Sequence, residues 1–221
     1  AASSFAFSTL LSRSVYDALT ASVVSILIFY LLEACAKHNR YNNLSEIIGT
    51  GVAGIIISIF AALGVPLNVP FCILSSIIVM VPGLSITVAL SEIANRDLTS
   101  GTSRFVDASM SLIKLYLGAI IGLGIGSFIF NTPNMNVLHD IQNIPEWFTW
   151  VALTLLTSSI TVAFNIHRRF IVWCLLSSVI AYLVSHYGNM YFDQVTGVLL
   201  GAFAVGIFSN AVANISNSPA S

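Results

Sequence analysis

The sequence predicts an all-α integral membrane protein, a polytopic helical bundle with an inverted repeat. Of its 221 residues, 57% are hydrophobic and 8% are charged, whereas an average soluble domain is roughly 25% charged. So few charges cannot cover a surface that faces water, and lipid must therefore be the solvent for most of it. Hydrocarbon cannot satisfy a bare N–H or C=O group, and the apolar runs of about 20 residues fit helices.

Eight hydrophobic segments follow one another with short loops. The chain opens with AASSFAFSTLL, about half a span, which we interpret as the end of a helix that begins outside this chain, so that the chain is part of a larger protein. A capping-box pattern at Asn43-Leu44-Ser45-Glu46 marks the start of the second full span. The seven full spans are predicted near 15–35, 46–64, 70–94, 106–130, 147–165, 169–187 and 194–214.

Basic residues concentrate in alternate loops, which predicts the orientation. Loops that carry Lys or Arg alternate with loops that carry none, such as those near 64–70 and 131–146. Arg13 is the single exception to this alternation. Because Lys and Arg are enriched in cytoplasmic loops, the basic loops are predicted to be cytoplasmic, in the cytoplasmic (inner or plasma) membrane. These basic loops lie near 37–40, 96–104 and 168–169.

Glycines repeat at helical spacing in two spans. Gly118, Gly122 and Gly126 recur every fourth residue, as do Gly197 and Gly201. Small residues at this spacing let helix backbones approach closely in lipid, so both sets predict helix–helix contacts. A further set, Gly49, Gly51 and Gly54, matches GxGxxG by count, but it lies inside an apolar helix without a preceding strand, which disfavours nucleotide binding.

A faint internal repeat joins the two ends of the chain. With one offset, Arg13 aligns with Arg169 and Ser22 aligns with Ser178. The predicted orientation makes the helix of Ser22 run inward and that of Ser178 run outward. The pattern therefore predicts an inverted repeat, the architecture of many secondary transporters.

The densest polar stretch follows Val81. Pro82 cannot donate to a helical hydrogen-bond ladder, so Pro82-Gly83 predicts a break in the middle of the third full span. A broken helix exposes backbone groups and a partly positive N-terminus, which could hold a small polar or anionic substrate. Ser85 and Thr87 add hydroxyl groups close to the break.

Charged residues follow the break, and two interpretations of them stay open. Glu92 with Arg96 and Arg104 with Asp107 have helical spacing for ion pairs that only fix orientation. In the second interpretation, Glu92 exchanges a proton with the gradient, because a carboxyl near the membrane can change its protonation.

Other charged residues of the spans receive weaker interpretations. Lys114 either extends toward the interface or pairs with Glu92 or Asp107. Asp17 and Glu33 are predicted to be interfacial.

No residue pattern predicts a metal, a cofactor or a catalytic centre. The four histidines are scattered, and Cys35, Cys72 and Cys174 lie in apolar stretches as small hydrophobic residues. The net charge of −1 offers no basic patch for nucleic acid.

The segment PGLSITVALSEIANRDLTSGTSR (82–104) resembles the signature of the threonine/serine exporter family, PGL-x-x-T-x-A-x-x-D-x-x-x-G-D-x-x-S-G-x-x-R. Glu92 stands where the family usually has Asp, and Arg96 stands where Gly is usual. A second segment, FNIHRR (164–169), resembles the start of the family's second half. The residues that match the signature are Pro82, Gly83, Leu84, Thr87, Ala89, Asp97, Ser100, Gly101 and Arg104.

The resemblance covers essentially the whole chain and implies two five-helix halves. Residues 1–131 would be the first transmembrane half, with a truncated helix 1 and the Pro-Gly helix at 70–94. Residues 132–221 would begin the second half with three helices, so that the chain ends after helix 8. Members are thought to export small metabolites, threonine and serine in some and a dicarboxylate in others, driven by the membrane gradient.

The leading hypothesis is therefore a secondary transporter that exports threonine and serine across the cytoplasmic membrane, coupled to the proton gradient. The alternatives are an exporter of a small dicarboxylate and a non-transporting membrane-anchoring subunit; too few titratable residues cluster for an intramembrane enzyme. Predicted partners are the lipid bilayer, a small polar metabolite and the missing remainder of the chain, and a homo-oligomer stays open. Substrate binding is assigned to Pro82, Gly83, Ser85 and Thr87, proton coupling to Glu92, and the supporting charge network to Arg96, Asp97, Arg104, Asp107 and Lys114.

Overall fold

The computed structural model describes residues 1–37, 44–130, 144–145 and 147–216, and these residues form helices without a strand. They divide into two compact units, Ala1–Ala152 and Leu153–Ser221. The predicted boundary between the transmembrane halves, at residues 131 and 132, falls at the edge of a stretch outside the described residues.

The first unit contains seven helices or parts of helices within its described residues. Helices α1 and α2 form a hairpin through Arg13, whose left-handed backbone (φ 52) reverses the chain. Helix α7 crosses the division between the units at Ala152. The helices are α1 (Ala2–Ser12), α2 (Val15–Ala36), α3 (Ser45–Ala62), α4 (Val69–Ser76), α5 (Gly83–Ala94), α6 (Leu98–Phe130) and α7 (Phe148–Ala163).

The second unit contains the part of α7 from Leu153 onward and a helical hairpin. A single 3₁₀ turn, Arg168–Phe170, precedes α8 (Ile171–Tyr191), and α9 is Gln194–Ser216. Thr157 of α7 donates its hydroxyl hydrogen to Ser178 Oγ at 2.9 Å, which joins α7 to α8 by a side-chain bond.

Helices able to span a membrane are present as predicted, but the described residues contain fewer of them than the seven full spans predicted. Five of the described helices are long and apolar enough to cross a membrane, namely α2, α3, α6, α8 and α9, and the pair α4 and α5 makes a sixth span if it is counted as one. Helix α7 is apolar but shorter. Helix α6 begins at Leu98, eight residues before the predicted start of its span at 106, so it carries the charged segment on its first turns.

The predicted start of the second full span is also confirmed. Helix α3 begins at Ser45, and its N-cap residue Leu44 makes no side-chain cap bond, so that the predicted capping box depends on Asn43. Asn43 lies outside the described residues.

The core of the first unit lies between α2, α3 and α4. Val24 and Ile28 of α2 meet Ile57 of α3 and Cys72 of α4 within one apolar cluster. Five of the eight residues of α4 are buried, whereas Ala89 is the buried residue of α5. The first half of the broken span is therefore a core element and the second half is peripheral.

The glycine repeat in α6 provides its contact with α3. A Cβ atom added at Gly122 would overlap Gly51 O, and one added at Gly54 would lie 2.8 Å from Leu123 N. Gly118 and Gly126 approach Thr50 and Ser58 of α3 in the same way. The GxGxxG match therefore belongs to a helix crossing, and the predicted close approach of helix backbones is confirmed.

The second glycine repeat acts in the same way within the second unit. Gly197 of α9 lies against Asn189 and Gly188 of α8, and Gly201 lies against Ser185. Helices α8 and α9 therefore pack through small residues, as the spacing predicted.

We expect Gly122→Ala to destabilise the first unit. The added methyl group meets the backbone of Gly51, which cannot rotate away, so α3 and α6 must separate at a cost of about 1–3 kcal/mol. The measurement is the thermal unfolding midpoint of the detergent-solubilised protein. Gly124→Ala is the matched control, because no atom lies within 4 Å of its added Cβ. Equal midpoints for the two variants would contradict the packing role of Gly122.

Candidate functional site

The predicted break in the third full span is present. Helix α4 ends at Ser76, a 3₁₀ turn covers Ile78–Met80, and α5 starts at Gly83, so that the two parts of the span are bent by 51°. Val81 has an extended backbone (φ −65, ψ 122), as expected for a residue that the ring of Pro82 keeps out of the helical conformation. Pro82 therefore accounts for the interruption directly before α5, whereas the 51° bend lies at Ile77, between Val69–Ser76 and Ile78–Ala94.

The first turn of α5 is open on the surface of the described chain. No atom lies within 4 Å of a Cβ added at Gly83, and Gly83, Ser85 and Thr87 are exposed. The Thr87 hydroxyl donates to Gly83 O at 2.9 Å, and no side chain caps the helix. Uncapped N–H groups and the helix dipole make this turn suitable for a carboxylate. Pro82 is half-buried beside it.

Glu92 lies at the other end of α5, where both of its carboxylate oxygens have partners. Its Oε1 is 3.2 Å from Arg104 Nε, and its Oε2 accepts a hydrogen bond of 2.9 Å from Ser100 Oγ. The sequence-based pairing of Glu92 with Arg96 was wrong, because the turn between α5 and α6 brings the first turns of α6 back over Glu92. Arg104 is 59% exposed and Glu92 is 24% exposed, so the pair is open to solvent.

Arg96 contributes backbone geometry to this turn. Its φ is 66, in the left-handed region, while its N–H donates to Ile93 O and the next N–H, of Asp97, donates to Glu92 O. These two bonds form the helix ending in which glycine is the usual left-handed residue. The family's preference for Gly at this position is thereby explained, and the Arg96 side chain is exposed.

Other signature residues also build the turn between α5 and α6. A Cβ atom added at Gly101 would lie 2.7 Å from Ile93 Cγ1 and 2.9 Å from Ala89 O, so only glycine lets α6 approach α5 this closely. Asp97 accepts a hydrogen bond of 3.5 Å from Ser100 N at the start of α6. The second part of the signature is therefore a packed helical hairpin.

Lys114 pairs with Glu46, which the sequence analysis named only as part of the capping-box pattern. Its Nζ is 3.5 Å from Glu46 Oε2, and Ser111 donates to Glu46 Oε1 at 3.0 Å. The predicted pairing of Lys114 with Glu92 or Asp107 was wrong, because α6 packs along α3 and brings Lys114 to the first turn of that helix. Asp107 is exposed, and no ion pair joins it to Arg104 within the part of the chain that the structure describes.

Asp17 is the polar residue that sequence reasoning missed. It was predicted to lie near the membrane interface, and the structure encloses it in protein, with an exposure of 0%. The packing of α1 and α4 on the first turns of α2 covers it. Because the contact between α4 and α2 is tertiary, no sequence pattern predicted it. Glu33, on the same helix, is exposed.

The second unit has a shallow cleft between α8 and α9. Trp173 and Phe208 face each other there with ring centroids 6.1 Å apart. Its walls are mainly apolar, with Ser177 and Ser209 among the lining residues. None of the residues assigned to the substrate or to the charge network lines it.

Apolar helices long enough to cross a membrane are typical of an integral membrane protein, and broken spans of this kind occur in many secondary transporters. Residues 1–126 match a family model described as "Putative threonine/serine exporter". Because this match covers more than half of the chain, the chain belongs to the threonine/serine exporter family. No curated protein and no solved structure matches the chain in the other two comparisons.

We expect Arg96→Gly to raise stability by about 0.5–1 kcal/mol, because glycine adopts the left-handed conformation without the steric cost that a Cβ atom imposes. The thermal midpoint in detergent measures the change. Asn95→Gly is the matched control: Asn95 has φ −81, so glycine relieves no strain there and should not stabilise. A lower midpoint for Arg96→Gly would show that the arginine side chain contributes more than its backbone costs.

Proposed function

We propose that this chain forms the membrane part of a secondary transporter that exports threonine and serine across the cytoplasmic membrane, coupled to the proton gradient. The observation that carries the proposal is the broken span, which lies within the residues that match the exporter family and opens its second half at Gly83. A break in a spanning helix supplies polar groups at membrane depth, where an intact helix has none to offer.

The substrate site in this proposal is the first turn of α5. The α-carboxylate of an amino acid would accept hydrogen bonds from its uncapped N–H groups, with Ser85 and Thr87 beside it and Pro82-Gly83 shaping the turn. Thr87 already donates to Gly83 O, so its oxygen atom can accept a hydrogen bond from a substrate ammonium or hydroxyl group.

The charged residues fall into two groups with different roles in this proposal. Glu92 is the predicted proton-coupling carboxylate, and its partners Arg104 and Ser100 would release it when it is protonated. Of the remaining members of the charge network, Asp97 would hold the start of α6 and Lys114 would hold α6 against α3, whereas Arg96 and Asp107 are exposed and would act through their charge.

The orientation and the assembly follow the same proposal. The basic loops near 37–40, 96–104 and 168–169 would face the cytoplasm. The remaining helices of a five-plus-five inverted repeat would come from the remainder of the chain, in the lipid bilayer, with a homo-oligomer as an open arrangement.

A dicarboxylate exporter is the second candidate. The uncapped first turn of α5 favours a carboxylate of any kind, so it supports this candidate as well. A non-transporting anchoring subunit is the third, and it requires no function of Thr87 or Glu92.

We expect vesicles that contain the full-length protein to release labelled threonine or serine, faster with a proton gradient than without one. Thr87→Val should lower this efflux by about 10- to 150-fold, because loss of one hydrogen bond to a charged group costs roughly 1.5–3 kcal/mol. Glu92→Gln should abolish the effect of the gradient. Labelled succinate, tested in parallel, separates the dicarboxylate candidate from the amino acid exporter.

Thr102→Val is the matched control. Thr102 is exposed and makes the same bond to the carbonyl four residues earlier, Leu98 O at 2.6 Å, but it lies outside the proposed site, so efflux should be unchanged. Gradient-driven efflux that survives Glu92→Gln keeps the transporter and removes Glu92 from coupling. No efflux of any of the three compounds would favour the anchoring subunit.

A further inference from the structure

Asp17 is a carboxylate in the interior of the first unit. It lies on the first turn of α2, a helix apolar and long enough to cross a membrane, and its exposure is 0%. The apolar residues Ala18, Ala21 and Val24, which follow it on α2, are also fully buried. An ionised carboxylate in such surroundings is strongly unfavourable unless a cation or a proton compensates its charge.

One oxygen of Asp17 is bound to α4. Its Oδ1 accepts a hydrogen bond of 3.0 Å from Asn68 N, the N-cap residue of α4, and another of 3.3 Å from Cys72 Sγ. Thr20 Oγ1 lies 3.5 Å from the same sulfur atom. A negative carboxylate at this position is favoured by the N-terminal end of the α4 dipole.

The other oxygen, Oδ2, has no hydrogen-bond partner within the described part of the chain, although it is buried. Three hydroxyl oxygens of α1 and α4, the helices that pack on this part of α2, are also buried without a hydrogen-bond partner. Each of their residues is 0% exposed. Polar atoms that are buried without partners are rare in native proteins and indicate a ligand or a water path. The three hydroxyl groups belong to Ser4 and Ser8 of α1 and Ser75 of α4.

Among the described residues, no positively charged side chain compensates the charge of Asp17. The Cys72 thiol is the titratable group that faces it from α4. Arg13, which ends α1, directs its guanidinium to Thr149 Oγ1 at 3.5 Å. On α3, Glu46 pairs with Lys114. Tyr16 and Glu33 on α2 are exposed.

We propose that the Asp17 carboxyl is a proton-binding site that couples transport to the proton gradient, and that its bonds to α4 connect it to the broken span. The inference rests on the proposed exporter function and extends it. A single carboxylate with one unpartnered oxygen atom suits a proton, and no group of three or more His, Cys, Asp or Glu side chains that could hold a metal ion occurs among the described residues. Proton-binding carboxylates buried within membrane helices are the usual relays of proton-driven transporters.

The connection to the substrate site runs through α4. A proton on Asp17 removes the charge that holds Asn68 N–H and the positive end of the α4 dipole, and α4 continues through the bend to Pro82 and the open turn of α5. The orientation predicted from the basic loops places Asp17 near the outer surface, where a proton would enter, and the turn between α5 and α6 near the cytoplasm. Asp17 and Glu92 therefore lie at opposite ends of the same route.

The test uses proteoliposomes that contain the full-length protein and labelled threonine. Asp17→Asn should lose the stimulation of efflux by an inward proton gradient, and it should lose the proton uptake that an entrapped pH dye records during efflux. It should retain exchange of internal labelled for external unlabelled threonine without a gradient. Glu33→Gln, the exposed carboxylate of the same helix, is the matched control and should retain gradient stimulation, proton uptake and exchange.

Two results of this assay would overturn the inference. If Asp17→Asn still shows gradient-stimulated efflux with proton uptake, Asp17 does not couple transport. If exchange is lost together with coupling while the variant remains folded, Asp17 binds substrate or holds the structure, and coupling is assigned elsewhere.

A second measurement does not depend on transport, so that failure of the exporter proposal and failure of this inference are distinguishable. A hydrophobic carbodiimide modifies protonated carboxyl groups inside membranes, and mass spectrometry of the wild-type protein locates the adduct. We expect an adduct on Asp17 at acidic pH that decreases as the pH rises, with Asp17→Asn as the blank. Absence of an adduct, or an adduct independent of pH, would overturn the inference even if threonine is exported.

Discussion

The arrangement of the first unit depends on the break that Pro82 imposes on the span from Val69 to Ala94. Without an N–H group at Pro82, the two halves of this span cannot share one hydrogen-bond ladder, and they pack independently. The half formed by α4 is largely buried among α1, α2 and α3, whereas α5 buries Ala89 and packs against α6. In hydrocarbon such a division requires that neighbouring helices cover the exposed backbone of the break.

The family signature separates into two parts with different physical roles. Residues from Ala89 to Arg104 build a tight hairpin: Gly101 admits the backbone of α5, Arg96 takes the left-handed conformation that ends the helix, and Glu92 joins Arg104 across the turn. The part from Pro82 to Thr87 is largely exposed and contains the uncapped start of α5. Packing explains the first part, so the second is the stronger candidate for substrate recognition.

The carboxylates at the two ends of this unit, Glu92 and Asp17, have different surroundings. Near the turn of α5 and α6, the ion pair of Glu92 and Arg104 is partly exposed, and pairs of this kind contribute about 0–1 kcal/mol. At Asp17 a carboxylate is buried with one bound oxygen and one unpartnered oxygen. The second situation is unfavourable for a static structure, which is why buried carboxylates in membrane helices are associated with function.

The sequence by itself determined the membrane class, the helix positions, the break at Pro82 and the glycine-mediated contacts, because each depends on local composition, on helical spacing or on a missing N–H group. The resemblance to the exporter family was also carried by residues within one segment, 82–104. Tertiary structure alone decided which charges meet: Glu92 pairs with Arg104, Lys114 pairs with Glu46, and Asp17 is enclosed by α4. Spacing along one helix predicts neighbours within that helix, whereas these partners lie on different helices and are brought together by packing.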